Sequence, residues 1–119
     1  MVEAGASVIH AVRDEATRDA VSRLLDPAPI HVCDVSKPAE IERLAEELPR
    51  PLHGFLHSIA FANFAEGERA FHATRREDFL QALDVSCYSL VALANALRGH
   101  FAGDASVVAM SISTTSMAA

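Results

Sequence analysis

The chain alternates between short, nearly unbroken apolar runs and longer segments whose apolar positions recur every three or four residues. "ASVIHAV", residues 6–12, is β-rich with almost no polar interruption, which predicts a strand covered on both faces as in a parallel sheet. "DEATRDAVSRLL" follows with helical character and breaks at Asp26-Pro27. A second apolar run, "PIHVCDV" (29–35), gives way to Ser36 as an N-cap and to Pro38 in the first turn of a helix over "KPAEIERLAEEL". Ile41, Leu44, Ala45 and Leu48 fall on one face of that helix. Pro49 and Pro51 end it, and "LHGFLHSIA" supplies a third strand.

Beyond the loop "FANFAEGERAFHA", Thr74 and Glu77 stand in capping-box spacing. Phe79, Leu83, Cys87, Leu90, Ala94, Leu97 and Phe101 then predict a long helix with one continuous buried stripe. "GDASVVAMSIS" reads as a turn and a last strand. Strands separated by helix-length crossovers predict a doubly wound α/β fold: four parallel strands with helices on both faces, forming a single domain over residues 1–119. The opening "MVEAGA" resembles the end of a helix and the close "SISTTSMAA" a polar run, so the chain is expected to be cut at both ends.

Composition narrows the function classes. A chain of 119 residues supports one modest core, and a net charge of -6 without a Lys/Arg cluster argues against nucleic acid. Cys33 and Cys87 are far apart and lack C-x-x-C spacing, which predicts reduced, buried thiols and a cytoplasmic setting. No apolar stretch is expected to approach the ~20 residues of a membrane span, and no signal-peptide layout opens the chain. The six histidines show no acid/base spacing; His31 and Cys33 share a strand face without a third metal ligand. "FLHSIAFA" (55–62) is the most suggestive stretch, because an apolar strand there yields to small residues at a sheet's carboxyl edge, where open α/β proteins hold ligands.

"CDVSKPAEIERL", "LHGFLHSIAFA", "TRREDFLQALDVSCYSLVALANALR" and "ASVVAMSIS" occur in an order and spacing that resembles the short-chain dehydrogenase/reductase superfamily. More narrowly, they are similar to the enoyl-acyl-carrier-protein reductases of bacterial fatty-acid synthesis, from about Ala4 to Ser113. The resemblance implies a partial Rossmann-type sheet whose central first strand is missing, leaving two strand pairs with unpaired edges. It implies NADH as cofactor, with NADPH as the alternative. Asp34 and Val35 would form the adenine pocket. Ser58, Ile59 and Ala60 would run beside the adenosine and ribose, and Phe61 and Ala62 would begin the wall facing nicotinamide and acyl substrate. Small residues also pack strands against helices, and an Asp before a cap is common, so both assignments have a purely structural alternative. Arg13 follows the first strand, where an Arg suits a 2′-phosphate, but Asp14 hints the other way, and a solvated turn explains both. Tyr88 is expected to pack.

Three family features are absent from the matched pattern: a strand with a Gly-rich turn ahead of Met1, a Tyr with a Lys seven residues later after the last strand, and a Tyr where Ile112 stands between Ser111 and Ser113. No residue is therefore assigned a catalytic role, and none a metal. The resemblance implies reduction of an enoyl thioester carried on acyl-carrier protein, by a homotetramer when complete. Two alternatives stand beside it. One is another short-chain reductase acting on a ketone or alcohol, disfavoured because "HSIAFA" replaces an Asn-Asn-Ala-Gly-like run and Ser86 a common Asn. The other is a non-catalytic Rossmann-like remnant.

Overall fold

The computed structural model describes residues 4–25, 27–67 and 70–111. The expectations for Asp26, for Ile112 and Ser113, and for the extreme ends of the chain lie outside them. The chain divides into two compact units, Met1–Leu48 and Pro49–Ala119.

The first unit contains β1 (His10–Val12), α1 (Glu15–Leu25), β2 (Ile30–Val32) and α2 (Pro38–Glu47). β1 and β2 pair in parallel, His10 opposite Ile30 and Val12 opposite Val32. The ladder extends from His10 N–H donating to the Pro29 carbonyl, 2.9 Å, to Cys33 N–H donating to the Val12 carbonyl, 2.8 Å. β1 is shorter than the apolar run suggests, and Pro29 explains it. In this register the Val8 carbonyl would accept from residue 29, which has no N–H. Nor is β1 covered on both faces: Ala11 is exposed and the core of the unit is Cys33, Ile41, Leu44 and Ala45. The buried face of α2 is thus the expected one, with Leu48 half-buried. Its start differs: Lys37, not Ser36, is the N-cap, without a side-chain bond. The Ser36 hydroxyl donates instead to Asp34 Oδ1 at 2.7 Å. Pro38 opens the helix as expected.

The second unit contains β3 (Leu52–His57), α3 (Arg76–Leu83), a π-helical turn (Asp84–Tyr88), α4 (Ser89–Ala96) and β4 (Phe101–Ala109). β3 and β4 are parallel, with Phe55 opposite Val107 and His57 opposite Ala109. Gly103 and Asp104, expected in a turn before the last strand, lie inside β4 where the register is irregular; the turn is at 97–100. The expected capping box is also absent. Arg75 is the N-cap of α3, and Thr74 N–H donates to the Phe71 carbonyl.

The buried row of the long helix follows the expected stripe only in part. Leu97 is buried and Leu90, Ala94 and Phe101 are half-buried as expected, but Ser89 and Leu93 are buried outside it, Phe79 and Leu83 are 55% and 43% exposed, and Cys87 is exposed. A polar residue at its centre, Ser89, hides the true row from a hydropathy pattern. Tyr88 is likewise exposed rather than packed. Arg76–Ala96 runs 21 residues and includes an 18-residue stretch with a mean hydropathy of 1.3, so by length and composition a helix long enough to cross a membrane is present, contrary to expectation. That helix is tied to β3 through a buried Ser89–His57 hydrogen bond, while little of its apolar stretch is buried in this chain.

Among the described residues the strands form two separate two-stranded sheets, β1-β2 and β3-β4. Within each unit the strands are parallel and joined through helices, as in doubly wound α/β proteins.

Candidate functional site

Parallel pairing places Arg13, after β1, and Asp34 with Val35, after β2, at one carboxyl edge of the first unit. Asp14 there is committed to α1. Its Oδ1 accepts from Thr17 N–H at 2.8 Å and from the Thr17 hydroxyl at 2.6 Å, while Arg13 Nε donates to Oδ2 at 2.9 Å. These bonds, the Thr17 hydroxyl foremost, bring the Asp14 carboxyl down to about 2. The Arg13 side chain is 64% exposed but has its charge matched by its neighbour.

Asp34 is built as an ionised acceptor. Its Oδ1 takes the Ser36 N–H at 3.0 Å and the Ser36 hydroxyl at 2.7 Å; its Oδ2 faces Lys37 Nζ at 3.3 Å. The Ser36 hydroxyl is the largest cause of its lowered pKa. Asp34 N–H donates to Glu40 Oε2 at 2.7 Å, fixing the strand end on α2. The side chain stays 26% exposed, so Oδ2 keeps room for a further donor. Val35 beside it is half-buried. Cys33 is a buried thiol pushed up to about 11, mainly by burial, and is no nucleophile at neutral pH. Cys87, expected to be buried, is exposed.

In the second unit β3 stops at His57, so Ser58, Ile59 and Ala60 leave its carboxyl end as a loop rather than continuing the strand. Ser58 and Ala60 are exposed and Ile59 is half-buried. Among the described residues none of these three makes a backbone–backbone hydrogen bond, which leaves their peptide groups available. The loop is gripped at both ends by the π-helical turn and the start of α4. Downstream, Phe61 N–H donates to Ser86 Oγ at 2.9 Å, and the Ser86 hydroxyl donates back to the Phe61 carbonyl at 3.1 Å.

Upstream, the His57 ring is 3% exposed and its Nε2 lies 2.7 Å from Ser89 Oγ. The Ser89 hydroxyl donates to the Val85 carbonyl at 2.6 Å, so its oxygen must accept from His57. That network assigns the Nε2–H tautomer to a neutral ring. Burial lowers the His57 pKa, in keeping with it.

Ala62 is exposed beyond the grip. Asn63 Nδ2 donates to Asp78 Oδ1 at 2.8 Å, and Arg75 Nε donates to Asp78 Oδ2 at 2.9 Å, which ties the following loop to α3. The sequence-predicted residues therefore form two groups, Arg13, Asp34 and Val35 in one unit and Ser58, Ile59, Ala60 and Ala62 in the other. Sequence reasoning missed His57, Ser86 and Ser89. The available signal was a histidine two residues after Phe55 on one strand face, and two serines three apart in an apolar helix. No group of three metal-ligating side chains occurs among the described residues.

Comparison with known proteins gives a consistent result. The family model described as Enoyl-(Acyl carrier protein) reductase matches residues 1–119. The enoyl-[acyl-carrier-protein] reductase [NADPH] FabI of Staphylococcus aureus is 32% identical over 113 residues, covering 88% of this chain and 44% of that protein. The [NADH] FabI of Bacillus subtilis is 34% identical over 116 residues, covering 91% and 45%. Among solved structures, the enoyl-[acyl-carrier-protein] reductase (NADH) of Aquifex aeolicus superposes with a TM-score of 0.78 at 29% identity, covering 87% of this chain and 47% of that one. The Bacillus cereus reductase with NADP+ and indole naphthyridinone gives 0.75 at 30%, covering 84% and 42%. The chain spans less than half the length of each of these relatives.

Proposed function

From a chain that belongs to the enoyl-acyl-carrier-protein reductase family of the short-chain dehydrogenase/reductase superfamily, we propose a whole protein that reduces the trans-2 double bond of an enoyl thioester on acyl-carrier protein with NADH, in fatty-acid biosynthesis. The observation that carries this reading is the Ser58–Ala60 loop, small and open in its backbone at the carboxyl end of a parallel strand. The small, exposed side chains of Ser58 and Ala60 let a flat ligand approach the peptide groups.

A dinucleotide fits the residues present. Asp34 Oδ2 can accept from an adenine amino group, Val35 can flank the ring, and Ser58, Ile59 and Ala60 can run along adenosine and ribose. Ala62, exposed just past the Phe61 anchor, can begin the substrate wall. The Arg13–Asp14 ion pair supports NADH on one ground: a guanidinium already matched by a carboxylate is a poor receptor for a 2′-phosphate.

When bound, the nicotinamide supplies the hydride. This chain's residues orient it and shape the wall; the charge that develops on the thioester oxygen needs donors, a role given to none of the described residues. The exposed apolar face of the long helix, Phe79, Leu83, Tyr88 and Val91, supports subunit contact in a homotetramer. The setting proposed is the cytoplasm.

The test is to express the complete reading frame and follow oxidation of NADH and NADPH with crotonyl thioester and with a simple ketone. Oxidation driven by the enoyl thioester, faster with NADH, is the expected result. Oxidation driven only by the ketone would move the protein to the carbonyl-reducing relatives, and no dinucleotide binding at all would make it a non-catalytic remnant.

A further inference from the structure

We propose that His57 and Ser89 act as a positioning pair, fixing where the Ser58–Ala60 loop leaves β3 and hence the surface presented to the cofactor; this rests on the dinucleotide reading above. The pair is buried, joins residues 32 apart in sequence, and sits immediately before the loop. Its geometry has one direction only. Ser89 gives its proton to the Val85 carbonyl at the π-helical turn, so the serine oxygen takes the His57 Nε2 proton and the ring has a fixed orientation.

His57 is also held by its own backbone, whose carbonyl accepts Met110 N–H at 2.9 Å from the end of β4. Side chain and main chain thus locate the last strand residue, and Ser86 locates Phe61 on the far side. Three residues span the two fixed points. Such a short tether leaves little freedom, so an error at His57 displaces Ser58–Ala60 directly. Neither His57 nor Ser89 touches the proposed ligand surface; their effect passes through the loop.

Glutamine provides the discriminating substitution, since its amide N–H can take the place of the ring Nε2–H, whereas leucine fills the space and cannot donate. In the complete protein, His57→Leu and Ser89→Ala should raise KM for NADH roughly tenfold with a smaller change in kcat, as expected for loss of a buried hydrogen bond that leaves a polar group unpaired. His57→Gln should recover most of that loss. Leu93→Ala, which weakens the same helix while leaving both side chains of the pair in place, should lower thermal stability and leave KM for NADH unchanged below its melting temperature.

Equal KM in wild type and His57→Leu, or no recovery in His57→Gln, would overturn the proposal, as would an equal rise in Leu93→Ala. Amide exchange at Phe61, whose N–H is held by Ser86, supplies a readout that needs no substrate: it should accelerate in His57→Leu and recover in His57→Gln. A wild type without turnover would overturn the functional reading alone, and the exchange data would still decide whether the pair holds the loop.

Discussion

Replacing Ser86 with alanine removes both hydrogen bonds at the Phe61 anchor in one step, since the same hydroxyl accepts from its N–H and donates to its carbonyl. Each bond contributes about 0.5–1.5 kcal/mol net, so the local opening free energy at Phe61 should fall by roughly 1–3 kcal/mol. In the fast-closing regime of native exchange that corresponds to amide exchange about 5- to 150-fold faster at Phe61, with β3 amides little affected. Ser86→Asn gives the counter-experiment. A carboxamide has both an acceptor and a donor and can restore the two bonds, so exchange should return toward wild type. Hydrogen-exchange mass spectrometry of the complete protein, resolving a peptide over residues 58–63, provides the assay. Unchanged exchange in Ser86→Ala, or acceleration spread evenly over β3 and β4, would refute a local anchor.

Other expectations follow from the same geometry. Burial holds the His57 pKa below its usual 6.5, so on acidification the unfolded chain binds a proton first. Stability should be level in this respect above pH 6.5 and decline below it until the folded-state pKa is reached; chemical denaturation against pH should show that slope flattened in His57→Gln. Asp14 acts at lower pH: with a folded pKa of about 2 against 3.8, its contribution is full above pH 3.8 and lost as pH falls toward 2, and Asp14→Asn should remove that slope. Leu93→Ala, at a fully packed position, should cost about 2–5 kcal/mol by denaturant titration. Val91→Glu, on the exposed apolar face of α4, should shift sedimentation of the complete protein from the proposed tetramer toward smaller species.

Element order was legible because each apolar run is bounded by a proline or a change of period, and those signals are local. The buried face of α2 was legible for the same reason: Ile41, Leu44 and Ala45 are apolar and evenly spaced. What stayed hidden depended on partners. The length of β1 is limited by Pro29 across the ladder, a restriction visible only once register is known. Ser36 has an N-cap's chemistry, but Asp34 two residues earlier takes its hydroxyl. The buried row of the long helix passes through Ser89, which a search for apolar residues skips. Ser89 is buried because His57, far away in sequence, provides its hydrogen bond. The candidate site divides similarly. The residues proposed to face the ligand stand out in the sequence as the end of an apolar run, whereas His57, Ser86 and Ser89, which hold that loop at its two ends, do not.

The most direct test of the central claim, that this stretch supplies the adenine and ribose contacts, is a crystal structure of the complete protein with NADH. The account predicts the adenine amino group within about 3.2 Å of an Asp34 carboxylate oxygen and the adenosine lying against the backbone of Ser58–Ala60. A dinucleotide bound with both Asp34 and the Ser58–Ala60 loop free of contact would contradict it.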